Sequence, residues 1–402
     1  MKKMKTKFGM QILCLLLVVA LTGAIFVPAV SAEGNLYTQS KEAVIEENYV
    51  SIDTAYEHAN SGLQDFINRG MVDSSWSSAK VDSNPIEVYD PNGEKLFYLF
   101  FIEKDGKNIG TVKIASSKVL GSSVLSVGTL PSYIEKDTMY LKAEEYIEKN
   151  FENAELLSLQ VVCYDYPKIG FLLEFSDRNG DLNEILLDAY DYSNVTESAI
   201  TSSYDSVPES EFSSRISGWK DQDKYLNDIM ENSFSTKATV TETLSGFTLY
   251  PQEETGWCAF ATAQMISDYY GYTRTQEQIA QTMGVDPDDG ATMDEVVNDY
   301  YKESVANGGI GKTNTYIEWW SSILFDNVKD EIDDGHPIDT SRYESLSYHG
   351  RAIAGYSYVT TSGNNYVYIY DPWPVDQGDL YWEHWETYYN GSKPVRKNAY
   401  VK

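Results

Sequence analysis

A chain of 402 residues with 42% hydrophobic residues, 32 Tyr and 8 Trp has room for two or three domains and is too rich in aromatics to be a disordered chain. Its formal net charge of −30 repels phosphate backbones, and no basic patch follows the first few residues, so nucleic acid is not an expected partner.

Lys2, Lys3, Lys5 and Lys7 precede an apolar stretch from about Ile12 to Val27, and Val30-Ser31-Ala32 offers small residues at a cleavage point after Ala32. Residues 1–32 therefore have the pattern of an export signal, and the protein is expected to be secreted or at the cell surface. The apolar run is interrupted and shorter than the roughly 20 residues of a membrane-spanning helix, so no membrane anchor is expected once it is removed. Cys14 leaves with the signal, and Cys163 and Cys258 remain. They could pair in an oxidising compartment. However, LQVVCYDY around Cys163 reads as a strand interior, and Cys258 stands at a helix start.

From Asp53 to Gly70 apolar residues recur at helical spacing, and His58, beside Glu57 and Asn60, is placed on a solvated face. The runs PIEVYD, KLFYLFFIEK and NIGTVKIA then read as strands, separated by the turns Asp90-Pro91-Asn92-Gly93 and Lys104-Asp105-Gly106-Lys107. A helix is expected over about Lys136–Asn150, followed by strands in LSLQVVCYDY, IGFLLEFSD and NEILLDAYD, the last two joined at Asp177-Arg178-Asn179-Gly180. The acidic DRNGDLNE stretch fails the spacing of a calcium loop and reads as a hairpin turn. Residues 33–195 thus form an α+β N-terminal domain with antiparallel strands. Residues 196–245, rich in Ser and Thr around a weak helix, read as an exposed linker. Asn194-Val195-Thr196 and Asn390-Gly391-Ser392 match the glycosylation pattern, which is short enough to occur by chance.

Residues 246–402 are the candidate enzyme domain. A helix from Cys258 to Tyr270, with Gly271 beyond it, puts Cys258 in a first turn, where the helix dipole favours a thiolate. A thiolate needs a base. His336, in DDGHPI, reads as turn structure, and His384, among aromatics, as a stacked structural residue. That leaves His349, which opens HGRAIAGYSYV. If this run pairs with NNYVYIYDPWP, Asp371 returns beside His349 and can orient its ring. Capping-box patterns predict helices over Thr275–Met283 and Thr292–Glu303. Asp286, Asp288 and Asp289 are explained by turn chemistry without a metal, and Trp319 and Trp320 are assigned to the core.

These residues resemble a papain-fold cysteine peptidase, most similar to a compact secreted branch related to double-glycine (bacteriocin-processing) peptidases and, more distantly, to staphopain and streptopain. Gln252 stands six residues before Cys258, Gly355-Tyr356 follow His349, and Trp373 stands two residues after Asp371, all as in that family; Gly335-His336-Pro337 fits its Gly-x-Pro. Trp257 precedes Cys258, whereas the family aromatic follows the cysteine, and Gly350-Arg351 are less apolar than usual. The resemblance implies a papain-like α+β catalytic domain with a Cys258–His349–Asp371 triad. It also implies a Gln252 oxyanion hole, no cofactor or metal, protein or peptide substrates, and an N-terminal domain that acts as an inhibitory propeptide removed at the Ser/Thr-rich linker, the other reading of that domain being a permanent accessory or binding domain. Two alternatives stay open: a cell-wall amidopeptidase or acyltransferase, and a non-catalytic surface adhesion or binding protein on a papain-like scaffold.

Overall fold

A computed structural model describes residues 40–129, 138–166, 168–196, 204, 207–231, 239–319, 322–344, 347–360, 363–385 and 396–402. The export signal, Trp320, Asn390-Gly391-Ser392 and part of the Ser/Thr-rich segment lie outside them. Lys41–Lys402 form one compact unit. Among the described residues no helix is long and apolar enough to cross a membrane.

The fold is α+β. The helices are α1 (Lys41–Glu47), α2 (Ile52–Asn68), α3 (Met139–Asn150), α4 (Phe212–Glu231), α5 (Cys258–Tyr269), α6 (Gln276–Met283) and α7 (Phe325–Asp333). The strands of the N-terminal part are β1 (Lys80–Val81), β2 (Ile86–Tyr89), β3 (Lys95–Lys104), β4 (Lys107–Ala115), β5 (Val124–Thr129), β6 (Glu155–Asp165), β7 (Lys168–Ser176) and β8 (Leu182–Asp188). Those of the C-terminal part are β9 (Thr239–Thr243), β10 (Tyr316–Trp319), β11 (Ile338–Glu344), β12 (Ser347–Val359), β13 (Tyr366–Asp371), β14 (Asp379–His384) and β15 (Arg396–Tyr400).

All these strands join one sheet in the order β10-β15-β11-β12-β13-β14-β5-β4-β3-β2-β6-β7-β8, with β1 on β3 and β9 on β12. The pairings are antiparallel except β2 with β6. The turn residues account for the hairpins: Asp105 and Gly106 take positive φ between β3 and β4, and the Asp177 carboxylate accepts the N–H groups of Asn179 and Asp181 between β7 and β8. The sheet crosses from one part of the chain to the other where β14 pairs with β5, Trp382 opposite Val127. A side chain at Gly128 would lie 2.4 Å from the Tyr381 Cβ, so this crossing requires glycine.

Helix α2 begins at Ser51, whose side chain accepts the Thr54 N–H, and buries Ala55, Ala59, Leu63 and Phe66 against the sheet. His58 lies on that buried side rather than in solvent. It bonds to Ser123, and its Nε2 is 2.7 Å from Asp223 on α4, because a polar pocket between the two helices supplies partners that local spacing does not reveal. Helix α4 lies within the Ser/Thr-rich segment, yet Phe212, Trp219, Tyr225 and Leu226 are buried. Both capping boxes form, at Thr275 with Gln278 and at Thr292 with Glu295. The second leads into only Met293–Glu295 as α-helix, after which Val296–Tyr301 widen to a π-helix. The carbonyls of Tyr300 and Tyr301 then accept the N–H groups of Ile310 and Lys312 from the returning chain, which replaces the α-helical pairing. Trp319 is 49% exposed, with Lys397 over its ring, and is not core: β10 is the edge strand of the sheet.

Candidate active site

Two elements bring the candidate residues together. Gly256 takes a positive φ, turning the chain into α5, whose first residue is Cys258. Phe260, Ala261, Met265 and Ile266 are fully buried, so the helix is held inside the C-terminal core against β12. On the sheet, Ala352 lies opposite Tyr370, which returns Asp371 beside the start of the β12 segment that carries His349.

His349 Nε2 stands 2.8 Å from Asp371 Oδ1, and the His349 side chain hydrogen-bonds Cys258, so the three groups form a continuous chain. With Nε2 on the carboxylate, the ring presents Nδ1 to sulfur. The Gly350 N–H also reaches the Cys258 Sγ, at 3.4 Å. A Cβ at Gly350 would lie 3.4 Å from the Cys258 carbonyl oxygen and the Ala259 Cα, so the strand passes directly against the start of α5.

Cys258 is buried, 8% exposed as a residue. Burial pushes the thiol up, but the His349 hydrogen bond and charge, the Gly350 N–H and Lys168 outweigh that, and its pKa is lowered. Burial acts on His349 in the opposite sense and is overcome by Asp371 and then Cys258, which raise it to about 10. Asp371 would be raised by burial, but His349, Arg351 and the Trp373 N–H lower it. Both shifts act in the sense that favours a thiolate–imidazolium pair. The raised His349 contributes stability below its ordinary value and loses it as pH rises toward about 10, whereas the lowered Asp371 contributes above its ordinary range and loses it in acid.

Asp371 is held from three sides. Its Oδ1 accepts from His349 and from the Trp373 N–H at 3.0 Å, and its Oδ2 accepts the Tyr381 hydroxyl at 2.9 Å. Arg351 Nη1 donates to the same Tyr381 oxygen at 2.7 Å and lies 3.3 Å from Glu383. Since a guanidinium only donates, it turns the tyrosine proton toward Asp371. Sequence reasoning missed this support. Arg351 inside a β-run is the one signal that could have raised it, because a charge facing a core demands a partner. Tyr381→Phe is expected to cost one hydrogen bond to a charged group, about 1.5–3 kcal/mol. Activity should fall roughly 10- to 100-fold, and the acid limb of the pH–rate profile should move to higher pH.

Gln252 is buried in the loop before α5. Its N–H donates to the Pro372 carbonyl and its carbonyl accepts from Asp376, both at 3.0 Å, which stitches this loop to the one following Asp371. Its side-chain Nε2 donates to the Glu254 carbonyl at 2.8 Å. His336 caps the end of α7 through Glu331, and His384 is buried edge-on to Tyr366; neither belongs to the site. Cys163 lies in the N-terminal core, and neither it nor Cys258 forms a disulfide.

A groove of about 660 Å³ opens at Cys258, bordered by Gly256, Ala259, Val285, Gly290 and the carboxylates Asp286, Asp288, Asp289 and Glu295. Asp286 accepts the Asp288 N–H in a turn, as the Asp-Pro-Asp sequence predicts. None of the four carboxylates makes an ion pair among the described residues.

Residues 244–396 match the model of the Peptidase_C39 like family. The match supports a cysteine peptidase of the C39, papain-like kind for this part of the chain. Comparison with curated proteins gives no match.

Proposed function

We propose that the protein is a secreted papain-like cysteine endopeptidase, made as a zymogen and hydrolysing peptide bonds through Cys258, His349 and Asp371. The observation that carries this reading is the unbroken contact of sulfur, imidazole and carboxylate, with the thiol lowered and the imidazole raised.

In this mechanism the Cys258 thiolate attacks the scissile carbonyl carbon. The oxyanion is held by the Gln252 side-chain amide and the Cys258 backbone N–H, a donor of this kind being worth about 2.7–4 kcal/mol. Imidazolium His349 gives its proton to the leaving amine as the C–N bond breaks, leaving a thioester and a neutral ring. The ring then takes a proton from water, which attacks the thioester and releases the acid and the thiolate. Asp371 keeps the ring oriented and stabilises its charged form throughout. No cofactor or metal takes part in this scheme. The N-terminal part restrains the enzyme until the chain is cut in the Ser/Thr-rich segment.

The carboxylates beside Cys258, none of them in an ion pair among the described residues, favour cationic peptide segments. At low salt, a peptide carrying Lys or Arg near the scissile bond is expected to have a kcat/KM roughly ten-fold or more above its Glu counterpart, the gap shrinking as salt rises. Steady-state kinetics on the two peptides checks this. Casein and peptidoglycan, each given wild type and Cys258→Ala, test the function itself. Thiol-dependent cleavage of casein supports the endopeptidase, cleavage of peptidoglycan alone supports a cell-wall amidase, and no cleavage of either supports a binding protein.

A further inference from the structure

The described part of the chain before β9, Lys41–Glu231, is joined to the peptidase part by more than a covering contact. The sheet runs through the junction, with Tyr381, Trp382 and Glu383 of β14 opposite Gly128, Val127 and Ser126 of β5. One apolar core contains Ala59, Phe66, Phe100, Val127 and Trp219 from the first part together with Val359, Tyr366 and Trp382 from the second.

Buried polar groups cross the same boundary. Arg69 is paired to Asp65 at 3.1 Å and donates to Ser357 Oγ at 2.7 Å and to the Asn364 carbonyl at 3.2 Å. The Gln222 amide donates to Asn364 Oδ1 at 2.7 Å while its oxygen accepts from Ser122 and from the Val124 N–H. Separation would expose this apolar core to water and break these buried polar contacts on both faces.

The first part also reaches the loop that positions the carboxylate. The Tyr190 hydroxyl donates to the Val375 carbonyl at 2.7 Å, its ring stands edge-on to Trp373 at 5.8 Å, and Lys168 lies over that Trp373 ring at 5.3 Å. The Trp373 N–H is one of the three donors on Asp371.

We infer that the N-terminal part is a permanent partner of the peptidase part: after a cut between Glu231 and β9 the two pieces remain one particle, and the 373–375 loop stays fixed by Tyr190 and Lys168. The inference deepens the zymogen reading above and rests on it only for the consequence that activation proceeds without releasing the N-terminal piece. The association itself follows from the shared sheet and core.

The test uses the full chain carrying Cys258→Ala, so that it cannot digest itself, with a recognition sequence for a site-specific protease inserted within 232–238. After cutting, both pieces are expected to elute together from native gel filtration at the volume of the uncut chain and to separate only in concentrated denaturant. Elution as two native peaks overturns the inference. The same insertion in wild type gives a second reading: iodoacetamide should label Cys258 in the cut particle across pH with the profile of the uncut chain. A profile that moves to the ordinary thiol range on cutting overturns the claim about the loop. The primary readout is association, so its failure is distinct from failure of the peptidase assignment.

Discussion

His349→Ala is expected to lower casein hydrolysis by roughly 10³- to 10⁴-fold, the range set by losing a positioned acid–base group. The variant removes the principal group that lowers the thiol and the proton the leaving amine needs, while α5, the Gly350 N–H and the groove remain. The loss should therefore lie in kcat, with KM little changed, since substrate is held by groups the substitution does not touch. Added imidazole, small enough to enter the vacated space, should restore part of the rate. Steady-state kinetics with and without imidazole checks this, and circular dichroism shows whether the variant remains folded.

The second large effect concerns stability. Arg351 and Glu383 are both inside the protein, 1% and 0% exposed, and the guanidinium is held by Glu383 and the Tyr381 hydroxyl. Glu383→Leu leaves a buried cation without its counter-charge and is expected to cost about 3–5 kcal/mol, read as a fall in the urea midpoint. Arg351→Met combined with Glu383→Leu removes both charges and should recover most of that loss, because Arg351 Nε and Nη2 and Glu383 Oε1 have no hydrogen-bond partner among the described residues. The double variant nevertheless takes away the donor that directs the Tyr381 proton. It should fold well and still show the acid limb of its rate profile displaced to higher pH, separating the structural use of the pair from its use in holding Asp371.

Much of the local structure was legible because it is set by near neighbours. Turn residues marked the hairpins, capping boxes marked two helix starts, and the alternation through β12 and β13 was enough to expect Asp371 beside His349, which the register of Ala352 with Tyr370 produces. What stayed hidden depends on partners far away in sequence. His58 reads as solvated from Glu57 and Asn60, but its neighbours are Ser123 and Asp223. The pairing of β14 with β5 joins strands some 250 positions apart and has no local signature beyond Gly128. The Ser/Thr content around α4 concealed Trp219, Gln222, Tyr225 and Leu226, whose spacing is that of one helix face. Trp319 was misplaced because hydrophobic size alone does not tell an edge strand from a central one. The Arg351–Tyr381–Asp371 support needed three-dimensional contact to be seen at all.

In the proposed mechanism His349 holds Cys258 as a thiolate. The most direct measurement is the rate of iodoacetamide labelling of Cys258 against pH, in a Cys163→Ser background, for wild type and His349→Ala. Rapid labelling below pH 7 is expected in wild type, and a shift to the ordinary thiol range, about pH 8.5, in the variant. A single titration near 8.5 in both proteins, or a cysteine inert in both, would contradict it.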